Sequence, residues 1–278
     1  PRLHDQPHAY ILQNADKRIV FVIPYEEKFS LIGTTDVEFT GDPRAVAISK
    51  DEITYLLAIT NQYFKHKITA AEVLHSYSGV RPLLDDESDS AQSVTRDYKL
   101  EVSTERNSLP LVSVFGGKIT TYRKLAEAAV DKLQPFFASL GPRWTTNQYL
   151  PGGDFDTIDQ LSTQLKQDYP WLTRDLCQRY ARTYGMLSHR FLQHKTQLSD
   201  LGTAFSTDLW QAEVDYLIAE EWASTADDIL WRRTKLGLTT TCEQITHLTA
   251  YLANHKALQP VTAGNTRLTK SIADIEQA

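Results

Sequence analysis

The residues best suited to chemistry lie where an apolar, β-branched run ends in a glycine pair. Leu111 to Phe115 predict a buried strand, Gly116 and Gly117 follow, and apolar residues then recur at helical spacing over 119–133. The glycines allow the backbone to turn and a ligand to approach closely, while the start of the helix presents unpaired N–H groups and a positive dipole end. This arrangement suits an electron-rich ring or an anion, and a tight turn without a ligand is the alternative.

Two cationic side chains are suited to hold an anion. Pro82 disfavours helical backbone at Arg81, which predicts that the Arg81 side chain leaves the end of an extended segment. The guanidinium offers a planar fork of donors that matches phosphate oxygens or a substrate hydroxyl, whereas Lys118 offers a mobile point charge at the glycine turn. Arginine is a poor base because its pKa stays above ~12. The proton acceptor for an alcohol oxidation must therefore be sought elsewhere.

Several other functions are excluded by spacing or charge. The Gly-Lys pair at 117–118 is not a P-loop, because Val112 stands where the first glycine is required and Ile119 where Ser or Thr is required. Two adjacent glycines do not make a three-glycine dinucleotide fingerprint. Cys177 and Cys242 are interpreted as free thiols and the histidines show no zinc spacing, so we predict no metal. A net charge of −6 argues against nucleic acid as a partner.

Four motifs carry a family resemblance: Phe115–Glu127, Ile32–Asp36, Tyr77–Leu83 and Thr95–Tyr98. By the residues and the order of these motifs the chain closely resembles the FAD-dependent, quinone-linked glycerol-3-phosphate dehydrogenases, the aerobic type of bacteria and mitochondria. The resemblance runs over nearly the whole chain. It implies FAD as the cofactor, sn-glycerol 3-phosphate as the substrate and dihydroxyacetone phosphate as the product.

The resemblance also implies roles for individual residues. Arg81 and Lys118 are implied as catalytic residues, and both of them, together with Arg96, as residues that bind the substrate. Arg96 has an alternative role as a structural partner of Asp97 or of the acidic segment 85–89. The implied flavin-edge residues, where a helix N-terminus would stabilise the negative charge of the reduced ring, are Gly116, Gly117, Lys118, Ile119 and Thr120.

The start of the chain predicts that it is a piece of a longer protein, because it opens with Pro1 and its single methionine is Met186. The resemblance implies that the FAD fingerprint and a Gly-Ser-His motif, whose histidine is the candidate base, lie upstream. Because the fingerprint supplies most of the cofactor contacts, we expect the chain alone to be colourless, to bind FAD weakly if at all, and to be inactive.

Partners outside the chain follow from the resemblance alone. It implies electron transfer to a quinone and peripheral contact with the inner face of the cytoplasmic membrane, and it leaves a homodimer open. No apolar run approaches the ~18 residues that a membrane span requires. A second interpretation is a flavin oxidoreductase acting on an amine or amino acid, whose helical half is an interaction or membrane-docking module.

The first half of the chain must position the candidate residues on a sheet. Gly33–Asp36 closes a meander, either as a turn capped by Asp36 or as a border of the flavin pocket, and Ser49 predicts an N-capped amphipathic helix over 50–64. The acidic segment 85–89 is interpreted as a solvated loop. Short apolar runs predict strands, the first three forming an antiparallel meander, over 9–12, 19–23, 29–32, 72–78, 94–102 and 111–115.

The second half reads as helical, which gives an α+β fold class overall. Proline and glycine residues between Gln134 and Gly153 mark a boundary. We predict an incomplete antiparallel-sheet domain for substrate and flavin over 1–137, a linker over 138–153 and an all-helical domain over 154–278. Trp222 and Trp231 are expected in the core of that domain. Helical periodicity predicts five or six helices, over 157–169, 173–184, 188–193, 208–222, 226–236 and 242–254.

Overall fold

The computed structural model describes residues 1–81, 97–104, 109–137 and 139–258. These residues form two compact units, Pro1–Gln148 and Tyr149–Ala278. The first unit holds the sheets and the second is built of helices. The predicted α+β fold class with a helical C-terminal part is therefore confirmed.

The first unit begins with the predicted antiparallel meander. Its strands are β1 (Tyr10–Gln13), β2 (Ile19–Tyr25) and β3 (Phe29–Gly33), paired in the order β1-β2-β3. Helix α1 (Lys50–Tyr63) also forms as predicted. The core between sheet and helix buries four apolar side chains, Leu12, Val20, Val22 and Leu56.

A capping box starts α1. The Ser49 hydroxyl accepts a hydrogen bond from the Glu52 N–H at 3.2 Å, and the Glu52 carboxylate accepts one from the Ser49 N–H at 2.9 Å. These bonds satisfy N–H groups that the helix itself cannot pair. The helix start is thus fixed by residues that the sequence pattern had indicated.

A second, two-stranded sheet leads to the glycine turn. Strand β4 (Lys99–Ser103) pairs antiparallel with β5 (Leu111–Phe115). The helix predicted from Ile119 begins as a 3-10 turn, Ile119–Thr121, and continues as α2 (Tyr122–Leu133). The order of strand, glycine turn and helix is therefore confirmed.

Three predictions for this unit need correction. Strand β4 starts at Lys99, so the strand expected over 94–102 is shorter in its described part. Strand β5 is not buried, since Leu111 is 62% exposed and β4 is its one partner among the described residues. Residues 72–78 form no strand: Ala70–Glu72 is a 3-10 turn, and the following residues have no ladder partner in the described part of the chain.

The physical reason for the last two errors is the same. β-branched and aromatic residues favour extended backbone, but a strand needs a neighbour for its hydrogen bonds and a covering layer for its side chains. Sequence pattern reports the first requirement only. Arg96 and the acidic segment 85–89 lie outside the described residues.

The second unit confirms most of the predicted helices. The helices are α3 (Ile158–Asp168), α4 (Arg174–Tyr184), α5 (His189–Leu192), α6 (Gln211–Glu221) and α7 (Cys242–Leu258). The hydroxyls of Thr157 and Thr173 cap α3 and α4, each accepting an N–H at 3.2 Å. The segment expected as a helix over 226–236 contains a π-helix, Asp228–Arg233.

Two tryptophans of this unit differ in burial. Trp231 packs against the core as predicted, but Trp222 is 87% exposed and ends α6 in a left-handed conformation, so its predicted place in the core was wrong. Periodicity placed Trp222 on α6, whereas its backbone has already left the helix. Its side chain therefore points away from the apolar face of α6.

A buried charged cluster ties α4 to α6. Arg179 donates to both carboxylate oxygens of Glu213, Nη1 to Oε1 at 2.7 Å and Nη2 to Oε2 at 2.6 Å, and the Tyr184 hydroxyl also donates to Glu213. Burial, and then the charge of Glu213, raise the pKa of Tyr184 well above its usual range. The phenol therefore stays a neutral donor to the carboxylate.

Searched over the described residues, no helix is both long enough and apolar enough to cross a membrane, and no group of three or more metal-ligating side chains comes together.

Candidate functional site

Arg81 lies beside Asp36 in the first unit. Its Nη1 donates to Asp36 Oδ2 at 2.8 Å, in an ion pair whose partners are 45 residues apart in sequence. The Arg81 side chain is half exposed, and that of Asp36 is about one-third exposed. The structure thus joins two of the motifs that carry the family resemblance and leaves the guanidinium open to solvent.

The segment that carries Asp36 is anchored on helix α1. Strand β3 ends at Gly33, and two residues later the Thr35 hydroxyl donates to Glu52 Oε1 at 2.6 Å. The Thr35 bond, followed by the bond from the Ser49 N–H, lowers the pKa of Glu52 below its usual value, which keeps it ionised as an acceptor. Asp36 therefore lies in a segment that the bond from Thr35 to Glu52 attaches to the start of α1.

The glycine turn has the backbone that its sequence predicts. Gly116 has a φ of 68° and Gly117 a φ of 106°, a region that residues with a Cβ rarely adopt. A Cβ on Gly117 would also lie 3.3 Å from the Cβ of Tyr98. The turn thus requires glycine for its own geometry, whether or not a ligand approaches it.

Beyond the turn, the start of the helix is open. Ile119 is 88% exposed, and Thr120 is exposed as well. The backbone N–H groups of Lys118, Ile119 and Thr120 have no hydrogen-bond partner within the described part of the chain. They are available to an electron-rich group, with the dipole of a continuous helical segment behind them.

Lys118 stands at the entrance of this helical segment. Its side chain is exposed, and its carbonyl accepts from the N–H of Thr121 at 2.9 Å and from the Thr121 hydroxyl at 2.7 Å. Among the residues that the structure describes, the Lys118 ammonium forms no ion pair, and no contact joins Lys118 to Arg81. Both cations belong to the first unit, and the hydrogen bonds of its described residues do not connect them.

A further charged group on α2 was missed by the sequence analysis. Arg123 Nη1 donates to Glu127 Oε1 at 3.0 Å, and the Thr145 hydroxyl donates to the same oxygen at 2.5 Å. The Thr145 bond is the main cause that lowers the pKa of Glu127, and the charge of Arg123 adds to it. The spacing of four between Arg123 and Glu127 on a helix was the signal that could have found the pair.

Two family models match the chain. One, described as FAD dependent oxidoreductase, matches residues 1–123, and the other, described as the C-terminal domain of alpha-glycerophosphate oxidase, matches residues 143–255. The glycerol-3-phosphate dehydrogenase of Pseudomonas aeruginosa is 52% identical over 261 residues, which are 94% of this chain and 51% of that protein. The chain belongs to the family of FAD-dependent glycerol-3-phosphate dehydrogenases.

Other relatives of this dehydrogenase family show the same coverage. The aerobic glycerol-3-phosphate dehydrogenase of Escherichia coli is 50% identical over 92% of this chain and 51% of its own length. The D-erythritol 1-phosphate dehydrogenase of Brucella abortus is 44% identical over 84% of this chain and 47% of its own length. The chain spans about half the length of these curated relatives.

FAD is the cofactor of this dehydrogenase family. The open N–H groups at 118–120 and the glycine backbone before them suit an electron-rich ring edge. Residues 1–278 contain no three-glycine fingerprint for the pyrophosphate. The described residues thus offer N–H donors to an electron-rich group and contain no fingerprint for the pyrophosphate.

Proposed function

We propose that the protein containing this chain oxidises sn-glycerol 3-phosphate to dihydroxyacetone phosphate with FAD. The observation that carries this proposal is the 52% identity to a glycerol-3-phosphate dehydrogenase over 94% of the chain. Both family models support the same chemistry, one for each half of the chain. The ion-paired, solvent-open Arg81 supports it further, because a phosphorylated substrate needs a cationic clamp.

Bound FAD supplies the acceptor for the hydride that leaves the carbinol carbon of the substrate. In our proposal this chain binds and orients the substrate for that transfer. Arg81 and Arg96 hold phosphate oxygens with their planar forks of donors, and Lys118 adds a point charge at the glycine turn. Arginine stays protonated and cannot accept the hydroxyl proton; the family resemblance implies that this proton passes to the histidine of a Gly-Ser-His motif upstream.

The glycine turn has its own proposed role. Gly116, Gly117, Lys118, Ile119 and Thr120 would line the edge of the ring on which negative charge develops. The unpaired N–H groups and the start of the helical segment would stabilise that charge without reorganising. The side chains at this turn are exposed in the first unit, which supports the approach of a large planar group.

Further parts of the proposal concern the whole protein. We propose that residues 1–137 belong to the substrate and flavin domain, that 138–153 form a linker, and that 154–278 form a helical domain. We also propose that electrons pass to a quinone through peripheral contact with the inner face of the cytoplasmic membrane, and that the protein can form a homodimer. The family resemblance supports the quinone and the membrane contact.

The substitution Arg81→Ala in the whole protein tests the phosphate clamp. Loss of a charge-assisted clamp to a dianion removes ~2–5 kcal/mol of substrate or transition-state binding. We expect a higher KM for glycerol 3-phosphate and a lower kcat, with the bound flavin retained. Steady-state dye reduction measures the kinetics, and visible absorbance measures the flavin.

Arg44→Ala is the matched control for this substitution, because Arg44 also pairs with an aspartate but is almost fully exposed. Its kinetics should equal those of the unsubstituted protein. Unchanged kinetics of Arg81→Ala would remove Arg81 from the site. A higher kcat/KM for D-erythritol 1-phosphate, the substrate named for the Brucella relative, would overturn the assignment of glycerol 3-phosphate.

A further inference from the structure

We propose that Asp36 is the residue that positions Arg81 for the phosphate of the substrate. The inference rests on the proposed function, because it presumes that Arg81 binds that phosphate. It adds a role for the acid at the end of the segment Gly33–Asp36, for which the sequence allowed either a cap or a border of the flavin pocket. The proposal is based on the ion pair in which Arg81 Nη1 donates to Asp36 Oδ2 at 2.8 Å.

The geometry of the pair leaves donors for a second anion. One guanidinium nitrogen of Arg81, Nη1, contacts one oxygen of Asp36, Oδ2. Arginine carries five N–H donors in a rigid fork, so a contact through one nitrogen restrains the guanidinium, and no contact within the described part of the chain engages Nε or Nη2, which can donate to phosphate oxygens. The half-exposed Arg81 side chain is accessible for this purpose.

A tether for the Arg81 side chain matters because the described strands do not hold the backbone that carries it. The residues from Val73 to Arg81 form no ladder with any described strand. A long, half-exposed side chain samples many rotamers, and fixing it for a ligand costs conformational entropy. A carboxylate that holds the guanidinium in place before substrate arrives lowers that cost.

Asp36, in contrast, is fixed through a short series of hydrogen bonds. Its neighbour Thr35 donates to Glu52 at 2.6 Å, and Glu52 accepts from the Ser49 N–H at 2.9 Å within the capping box of α1. Helix α1 packs on the three-stranded sheet through Leu56. Through these bonds the orientation of the Arg81 guanidinium depends on α1 and the three-stranded sheet, whose contact buries the main hydrophobic cluster of the first unit.

Charge alone predicts the opposite effect, which makes the proposal testable. A carboxylate beside a phosphate-binding arginine repels a dianion and reduces the net positive charge of the site. If charge dominated, removal of the carboxylate would strengthen phosphate binding. If positioning dominates, as we propose, its removal weakens phosphate binding although the net charge becomes more favourable.

Asp36→Asn in the whole protein distinguishes the two effects. We expect KM for glycerol 3-phosphate, and the Ki of inorganic phosphate as a competitor, to rise together by roughly 3–10-fold, with kcat within about twofold. Asp36→Glu, which keeps the carboxylate, should recover part of the loss. Asp42→Asn is the control, since it breaks the exposed Asp42–Arg44 pair and should leave both constants unchanged.

Combining Asp36→Asn with Arg81→Ala completes the test. If Asp36 acts through Arg81, the double variant has the same KM as Arg81→Ala alone. Additive effects, or a KM for Asp36→Asn that stays unchanged or falls, would overturn the positioning role. An effect of Arg81→Ala with a silent Asp36→Asn rejects only this inference, whereas a silent Arg81→Ala rejects the phosphate clamp itself.

Discussion

Glu213 is a fully buried carboxylate in the helical unit, paired through both oxygens with Arg179. Glu213→Gln would leave the Arg179 guanidinium buried without its countercharge. We predict a loss of about 3–5 kcal/mol in the free energy of unfolding, measured by urea denaturation of this chain. Glu220→Gln, which breaks the exposed pair with Arg190, should cost at most about 1 kcal/mol. Equal losses in the two variants would contradict the argument.

Because of Asp228, we expect the free energy of unfolding to depend on pH in the acidic range. Burial raises its pKa, but the N–H and hydroxyl bonds from Ser224 and Thr225 outweigh burial and lower the pKa to about 2. A lowered pKa gives stability that is present above the unfolded value and is lost as the pH falls through the folded one. The gap in unfolding free energy between wild type and Asp228→Asn should shrink by about 2 kcal/mol between about pH 7 and about pH 2.

Urea denaturation of both proteins across this pH range measures that gap. Asp227→Asn is the control, because Asp227 is the exposed neighbour in sequence, and its difference from wild type should stay constant. A gap for Asp228→Asn that does not change with pH would show that the bonds to the carboxylate are not formed in solution.

For single residues, the sequence was enough to choose candidate site residues but not to predict which side chains they contact. Arg81 and Lys118 were predicted from residue type and setting, and their roles remain predictions. The pairing of Arg81 with Asp36 spans 45 residues, and no local pattern reports so distant a contact. Arg96 lies outside the described residues, so its role also remains a prediction.

Among the elements, the contact between the turn at Gly152 and the end of α4 depends on two glycines. Gly152 has a φ of 82° and Gly185 a φ of 55°, and the Gly152 carbonyl accepts the Met186 N–H at 2.9 Å. A Cβ on Gly185 would overlap that carbonyl oxygen. We predict that Gly185→Ala lowers the free energy of unfolding of this chain by at least about 2 kcal/mol.

Thermal or urea unfolding measures this change. Gly141→Ala is the matched control, because no atom lies within 4 Å of the position that its Cβ would take. It should leave stability unchanged or raise it slightly. A Gly185→Ala protein as stable as the Gly141→Ala protein would mean that the two segments are not in contact.

Elements with local signals were predictable and those with distant partners were not. The capping box at Ser49 and the threonines before α3 and α4 gave correct helix starts, because caps are set within a few residues. The strand predicted over 72–78 was wrong, because a strand needs a neighbouring strand for its hydrogen bonds and none of the described strands pairs with these residues. The predicted burial of Trp222 was wrong because its backbone is left-handed after the end of α6, which turns the side chain outward, and hydrophobic periodicity does not report such a change.

At the scale of the whole molecule, the two units differ in how much apolar surface they bury. Among the described residues the main hydrophobic cluster of the first unit contains four buried side chains, whereas that of the second contains 23. The first unit also exposes Leu111 and Ile119 around the glycine turn. The unit that carries the candidate site therefore has the smaller hydrophobic core, and its function is best tested in the whole protein.

In the proposed function, the protein containing this chain transfers hydride from glycerol 3-phosphate to FAD and requires the phosphate group for binding. Anaerobic titration of the whole flavoprotein, followed by the visible absorbance of the oxidised flavin, tests it most directly. We predict that sn-glycerol 3-phosphate bleaches the flavin stoichiometrically, whereas glycerol or an amino acid at the same concentration does not, because glycerol offers no anion and an amino acid offers a carboxylate instead of a phosphate dianion to the clamp. Bleaching by glycerol or by an amino acid, or none by glycerol 3-phosphate, would contradict the account.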